Sequence, residues 1–322
     1  MRAAALLVVV VAVAAANPAF AQEYPARAIT LIVPTPPGGG LDVAVRSLAD
    51  RLATLLGKPV VVDNKAGAAG RIAMVAGMKA APDGHVMVVG TAGSMTIYPH
   101  VYETLGYDPV QDFEPVARFV ESQLGLVAHP GVPAKTFSEL LAWLKAGAGP
   151  VNYASYGAGT PSHFYGYLLG RRAGANLNIV HYKGAAPQVI DLLGGQAPIA
   201  YTTINNALPH ARAGKLHLLA VTGPARHPSA PAVPTMREQG FEGFTANAWF
   251  AFFAAAKTPP EVIRKFSAAV QAALDDAEVR KRLDAAGLQP AYLHPAGLGE
   301  LVRTEMAGWK DTVRATGFKA QD

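Results

Sequence analysis

The chain has 322 residues, 51% of them hydrophobic and 16% charged, with 28 Lys+Arg against 23 Asp+Glu, a net charge of +5 and no cysteine. A cysteine-free chain uses no disulfides and no thiolate chemistry, so its fold rests on its core alone. The basic excess is modest and scattered, as in Arg171-Arg172 and Arg280-Lys281-Arg282, and no basic run is interleaved with aromatics, which argues against a nucleic-acid partner.

The first residues read as a secretory signal. Arg2 gives the positive start, Ala3 to Ala16 the apolar stretch, and Ala19-Phe20-Ala21 the small-residue cleavage pattern, with processing expected after Ala21. The apolar run is short for a membrane span, which needs about 20 residues. The absence of a cysteine near the cut excludes a lipid anchor. The chain beyond Ala21 is too long for one small core, so two lobes are expected.

Short β-branched runs then alternate with amphipathic stretches, the pattern of sheets joined by crossover helices. Ile29–Val33 reads as a strand, Leu41–Leu56 as a helix stopped by Gly57, Val60–Val62 as a strand, 69–80 as a helix and Val86–Gly90 as a strand. A looser stretch leads to strand Leu124–Ala128, a helix from Ser138, strand Val151–Ser155 and a helix from Thr160. Strand Ile179–Tyr182, helix Pro187–Leu193, strand Ile199–Tyr201, helix Asn205–Ala213 and strand Leu216–Thr222 continue the rhythm. Trp249–Ala254 is an apolar strand without alternation, expected to be buried on both faces. From Pro259 to Arg314 the chain reads as helical, with a break at Gly287–Pro295. Strands Leu124–Ala128 and Trp249–Ala254 bracket a middle block, as in a chain that crosses into a second lobe and returns.

Two glycine turns carry the chemistry. The first, Thr35-Pro36-Pro37-Gly38-Gly39-Gly40, links a buried strand to a helix. Glycines there let a ligand approach the backbone, and the first helical amides lack partners, so the turn suits one carboxylate oxygen. The same pattern also fits an ordinary turn with glycines for tightness. Pro36 and Pro37 have no N–H and can only shape the wall. Asp42 falls in the first helical turn, where capping is its first expected role and contact with a solute ammonium its second. The second turn runs from Ser155 to His163. Thr160 before Pro161 is a helix-start signal, Gly157 and Gly159 form the turn, and Ser155 and Thr160 offer hydroxyls. Tyr156 suits either stacking on a solute or a plain surface position, and His163 fits helix packing better than ligand contact. Ser94, Thr96, Thr203 and Asn205 stand near strand ends, where open α/β sheets bind ligands, and they serve turns or caps equally well.

Enzyme signatures are missing. Gly157-x-Gly159-x-x-Ser162 lacks the third glycine of a dinucleotide fingerprint, and the sequence holds no phosphate loop, Gly-x-Ser-x-Gly elbow or His-Glu-x-x-His. The nine histidines show no metal-like spacing. A non-catalytic binding protein without a cofactor is expected, with a secreted hydrolase built from distant Ser, His and Asp as the enzyme alternative.

In order and spacing, several segments together resemble the extracytoplasmic solute receptors of tripartite tricarboxylate transporters, often called Bug proteins, across the mature length. They are Tyr24-Pro25 with the turn ending at Asp42; Asp63-Asn64-Lys65-Ala66-Gly67-Ala68-Ala69-Gly70; Tyr153-Ala154-Ser155 leading to Gly157-Ala158-Gly159-Thr160-Pro161-Ser162-His163; His181-Tyr182-Lys183-Gly184; Asp191-Leu192-Leu193-Gly194-Gly195-Gln196; and Ala213-Gly214-Lys215-Leu216. The resemblance implies an α/β fold of the two-lobed type II periplasmic binding kind, each lobe a mostly parallel sheet flanked by helices, with the ligand in the interlobe cleft. Lobe one is expected at 22–123 plus 248–322 and lobe two at 124–247. The implied function is capture of a small carboxylate (dicarboxylate, amino acid or aromatic acid) in the periplasm by a monomer and its delivery to membrane permease subunits. A receptor that signals to a sensor kinase is the alternative. The chain departs from the family's wording at Thr35, where Phe is usual, at Pro37, where Ala is usual, at Tyr156, where a small residue is common, and in the polar run Thr202-Thr203-Ile204-Asn205-Asn206. These departures bear on the ligand rather than on the fold.

Overall fold

The computed structural model describes residues 23–38, 40–147, 149–242, 244, 247–286 and 288–320. The signal-like segment 1–21 and Gly39 lie outside the described residues.

The chain begins with β1 (Ile29–Val33), α1 (Gly40–Leu56), β2 (Val60–Asn64), α2 (Arg71–Met78) and β3 (Val86–Thr91). β1 (Ile-Thr-Leu-Ile-Val) is rich in β-branched residues, and its apolar side chains enter the core on both sides of the sheet. α1 buries Leu41, Ala44, Val45, Leu48 and Leu52, the spacing that gives a helix one apolar face, and Gly57 ends it at φ +69°.

A π-helical turn (Gly93–Ile97) then runs into α3 (Tyr98–Val101), followed by β4 (Phe113–Ser122). The middle block comprises β5 (Leu124–Ala128), α4 (Phe137–Lys145), β6 (Val151–Ser155), α5 (Pro161–Ala173), β7 (Leu177–His181), α6 (Ala185–Leu193), β8 (Ile199–Thr203), α7 (Ile204–Arg212) and β9 (His217–Val221). The chain closes with β10 (Ala248–Ala255), α8 (Pro260–Leu274), α9 (Ala277–Ala285), β11 (Gln289–Leu293) and α10 (Pro295–Thr316).

Two sheets result. The first has the order β11-β4-β10-β3-β1-β2 and the second β7-β6-β8-β5-β9. β1, β2 and β3 run parallel, as do β6, β7 and β8, in keeping with the strand–helix rhythm of the sequence. Each sheet is mostly parallel, β1 to β4 running one way in the first and β6 to β9 in the second, with β10, β11 and β5 as the reversed strands. β10 is antiparallel to both β3 and β4, β11 to β4, and β5 to both β8 and β9. β5 and β10 enter their sheets directly from the other one, so their direction is set by the crossing and not by a βαβ unit, while β11 joins the edge of the first sheet after α9.

Two expectations need correction. The looser stretch before residue 124 contains β4, whose ten residues include Pro115 and meet β10 with two register shifts, an irregularity that hides the period of two. The break at 287–295 contains β11, an edge strand whose Pro290 is tolerated there because edge positions need fewer amide donors. β5 lies wholly in the second sheet, so the first crossing occurs at Gln123, between the end of β4 and the start of β5.

α10 joins the two lobes. Leu298 and Val302 pack in the first, while Trp309 and Val313 pack with Phe164 and Tyr165 of α5 in the second. The Tyr167 hydroxyl donates to the Ala315 carbonyl, and the Ala320 amide donates to Val101 O at 2.9 Å.

Candidate functional site

In the first sheet α1 leads from β1 outward to β2, and α2 leads back to β3; the two helices pack in different cores, on opposite faces. The connections therefore diverge between β1 and β3. In the second sheet α5 leads from β6 outward to β7, whereas α6 and α7 cover the other face, so the divergence falls between β6 and β8. Crevices at such switch points, beyond the carboxyl ends of the strands, are where open α/β sheets bind ligands. Four segments open there: 34–38 after β1, 92–97 after β3, 156–160 after β6, and the β8–α7 junction at 202–205. The two crevices meet across the lobes. A Cβ placed on Gly159 would stand 3.3 Å from the Tyr98 ring, and one on Gly93 would stand 3.7 Å from Gly159 O.

The first turn is braced from behind. Asp42, 2% exposed, accepts from the Gly38 amide at 2.8 Å, from Asn64 Nδ2 at 2.8 Å and from Arg46 Nε at 3.0 Å. Asn64 Nδ2 also donates to Thr35 O at 3.0 Å. Burial alone would raise the Asp42 pKa, but the donors Arg46, Gly38 and Asn64 together hold it below the usual carboxylate range. Both carboxylate oxygens are thus committed to loop shape. Pro36, Pro37 and Gly38 are exposed, with Gly38 at φ +83°, and the Thr35 hydroxyl is buried without a partner.

The second turn is braced in the same way. Ser155 Oγ and Thr160 Oγ1 both donate to Gly157 O, at 2.8 and 2.7 Å, and the Gly157 amide returns a bond to Ser155 Oγ. His163 Nδ1 accepts from the Gly159 amide at 3.2 Å. Burial first, and the neighbouring His181 second, lower the His163 pKa to about 3, so the ring is neutral at physiological pH and its Nδ1 stays an acceptor. Phe318 packs edge-on against that ring at 4.6 Å. Because the Thr160 hydroxyl turns back to Gly157, the N-terminus of α5 has no side-chain cap, and α6 and α7 also start without one. In contrast α4, α9 and α10, which start elsewhere, are capped by Thr136, Asp276 and His294. α2, α3 and α8 lack side-chain caps as well, and first-turn amides at the second crevice are partly engaged, Ile204 N with Gln123 O and His163 N with Thr160 O.

Of the remaining candidates, Ser94 is occupied. Its hydroxyl accepts from the Thr91 amide at 2.9 Å and braces the π-helical turn, while Thr96 Oγ1 donates to Ala92 O at 2.7 Å. Thr203 accepts from Asn206 Nδ2 at 2.6 Å. Trp249, 1% exposed beside the return crossing, donates from Nε1 to Glu305 at 2.9 Å.

The unsatisfied polar atoms single out the cleft. Among the described residues, seven buried side-chain nitrogens or oxygens have no hydrogen-bond partner. Two of them, Arg51 Nε and His85 Nδ1, each stand 3.2 Å from a carboxylate oxygen of Asp276 and Asp83. The other five are Thr35 Oγ1, Tyr156 OH, Gln188 Oε1, Thr202 Oγ1 and Asn205 Nδ2, and all belong to the two switch points. The Ser162 amide and the Thr160 hydroxyl are near neighbours of the Tyr156 hydroxyl, and burial raises its pKa. Gln188 was not expected to face a site, whereas Thr202 belongs to the polar run expected to bear on the ligand. Gln188 is a polar residue on the otherwise apolar buried face of α6, four residues before buried Leu192, and that break in the pattern is the signal that marks it. Among the described residues no group of three or more His, Asp or Glu side chains could hold a metal, and no helix is long and apolar enough to cross a membrane.

The comparisons bear on family and fold. Residues 44–318 match the family model described as tripartite tricarboxylate transporter family receptor. The protein BugT of Bordetella pertussis is 36% identical over 305 residues, covering 94% of each chain. Among solved structures, MatC from Rhodopseudomonas palustris with bound malate shares 34% identity at a TM-score of 0.76, over 90% of this chain and 100% of that one. A second R. palustris protein, solved with adipate, shares 29% identity at a TM-score of 0.80, over 92% and 99%.

Proposed function

The chain belongs to the tripartite tricarboxylate transporter receptor family, and from that premise we propose that it captures a small carboxylate between its two switch points and delivers it to membrane permease subunits. It is a solute receptor and not an enzyme. The lobes we assign are 22–123 plus 248–322 and 124–247, moving about the crossings at Gln123 and before Ala248. The protein acts as a periplasmic monomer, exported by a signal cleaved after Ala21.

The observation that carries this reading is the collection of five unpartnered, buried side-chain polar atoms at the paired strand ends. A buried donor without an acceptor is unfavourable by about 1–3 kcal/mol, so these groups favour a bound polar solute. The uncapped starts of α5 and α6 bring the positive ends of their helix dipoles to the second crevice, which favours a carboxylate. No arginine belongs to the four segments, so the anion is held by amides and hydroxyls rather than by an ion pair. Malate and adipate, seen in two relatives, point to a dicarboxylate. Closure follows because amides and hydroxyls from both lobes reach the solute only in the shut state, which gives that state its greater affinity.

The test is a thermal-shift screen of refolded mature protein, free of carried-over solute, against small carboxylates. A binder at about 100 times its Kd adds about 2.7 kcal/mol of stability. A raised melting temperature with one carboxylate class is the expected result. No shift across dicarboxylates, amino acids and aromatic acids overturns the reading.

A further inference from the structure

We propose that the solute bears a hydroxyl beside its carboxylate and that Gln188, Thr202 and Asn205 recognise it; this rests on the carboxylate-receptor reading above. Gln188 is fully buried, and its Nε2 donates to Ala154 O at 2.8 Å and Tyr201 O at 3.0 Å. Those carbonyls sit on β6 and β8 just where their pairing, Tyr153 with Ile199 and Ala154 with Ala200, comes to an end. The carboxamide therefore spans the crevice of the second sheet, and its orientation is forced. Turned over, its oxygen would face two carbonyls. Gln188 Oε1 is left as an acceptor with no donor.

Thr202 is the residue after Tyr201, and its hydroxyl, on a fully buried side chain, is also unpartnered. Asn205, in the first turn of α7, leaves Nδ2 as an unused donor. The end of β8, the start of α7 and the α6 side chain over them thus leave one fixed acceptor, one donor and one hydroxyl unpartnered. A carboxylate offers acceptors only, so it can satisfy Asn205 and Thr202 but leaves the Gln188 oxygen orphaned. A solute hydroxyl donates and accepts at once and completes the set.

An ammonium also donates, but it arrives as a charge that must lose its water. The segments 34–38, 92–97, 156–160 and 202–205 contain no Asp or Glu, and the Asp42 carboxylate is committed to Gly38, Asn64 and Arg46. The Glu305 carboxyl, which faces Thr96, is engaged by Trp249 Nε1 and faces Arg118, so no free counter-charge is left for an ammonium. The geometry favours a hydroxy acid over both its unsubstituted and its amino counterparts.

The test uses matched sets that differ only in this substituent, succinate, malate and aspartate, then glutarate, 2-hydroxyglutarate and glutamate, titrated calorimetrically into refolded mature protein. In the chain length that binds, the hydroxy acid is expected to bind tighter than both partners by about tenfold or more. Thr202→Val removes a hydroxyl that has no protein partner, so its melting temperature should equal or exceed the wild-type value while the hydroxyl preference falls several-fold. Gln188→Met should reduce the preference too; where it fails to fold, Thr202→Val alone carries the test. Equal binding of the unsubstituted diacid, or tighter binding of the amino acid, overturns the proposal and leaves the carboxylate receptor standing. A preference unchanged in a folded Thr202→Val overturns the residue assignment. Failure of the wild type to bind either set, or any other carboxylate, overturns both readings together.

Discussion

Glu305→Gln tests the polar junction beneath the crossing strands. Glu305 lies on α10, and its carboxylate accepts from Trp249 Nε1 at 2.9 Å. The charged groups facing it from β4 are Glu121, which pairs with Arg118 at 2.6 Å, and Arg118 itself; Thr96 faces it from the π-helical turn. Burial is the main cause that moves its pKa up from 4.5 to about 7; Glu121 adds to the rise, while Trp249, Arg118 and Thr96 oppose it. Between these two values the folded chain holds a proton that the unfolded chain has released. Stability from this group is therefore fully present below pH 4.5 and is lost as pH rises through 7. A carboxyl moved that far penalises the folded protein by roughly 3 kcal/mol once it is ionised, most of it arising between pH 5 and pH 8. Glutamine keeps an acceptor for Trp249 and carries no charge. Urea denaturation followed by tryptophan fluorescence should show the variant gaining about 2–3 kcal/mol on the wild type between pH 5 and pH 8. An equal stability difference at the two pH values would refute the buried-carboxyl argument.

Three further substitutions probe the turns and the packing beneath them. Asp42→Asn turns one of the bracing acceptors into a donor facing Gly38 N or Asn64 Nδ2, at about 1–3 kcal/mol, and calorimetry should show solute affinity falling about tenfold or more. Acid titration of stability checks the same residue: the wild type loses Asp42's contribution as pH falls through its lowered pKa, and the variant has no such loss. Gly166→Ala sets a Cβ 2.4 Å from the Tyr153 ring, which is tethered through its hydroxyl to Ser162 O and Tyr201 N, so the melting temperature should drop by the equivalent of about 1–3 kcal/mol. Gly159→Ala strains a residue at φ +71° and crowds Tyr98, so it should weaken solute binding more than it lowers the melting temperature of the empty protein; the reverse order would mean that the Gly159–Tyr98 contact plays no part in closure.

What was legible in the sequence was whatever announced itself locally. The β-branched run of β1, the Leu41–Leu56 stripe and the Thr160-Pro161 helix start reveal their elements because propensity, period and capping agree within a few residues. β4 and β11 did not announce themselves, since each carries a proline and irregular pairing whose sense lies in a partner more than a hundred residues away. The site divides in the same way. Glycine turns can be read from composition, but that Ser155, Ser94 and Asp42 are committed to their own loops depends on hydrogen bonds the sequence does not display. Two cues were present and unused. Gln188 interrupts the apolar face of α6, and Glu305 interrupts the buried stripe of Leu298, Val302, Trp309 and Val313 on α10. A polar residue on an otherwise apolar face is where burial is bought with a specific partner, and both turn out to matter.

The bracing explains how an uncharged cleft can discriminate. Each turn is held by its own side chains, Asp42 and Asn64 behind the first, Ser155, Thr160 and His163 behind the second, so neither has to be ordered by the solute. Binding energy is then available for closure instead of loop folding. Because hydroxyls and amides carry no net charge, the open cleft attracts acids only weakly at long range, and selection falls on the shut state, where every buried donor and acceptor must find a partner. A solute that leaves Gln188 Oε1 or Asn205 Nδ2 unmatched makes the shut state less favourable even when its carboxylate sits well. Discrimination and closure are thus the same event, and a variant that removes an unmatched group should bring about closure on solutes the wild type rejects.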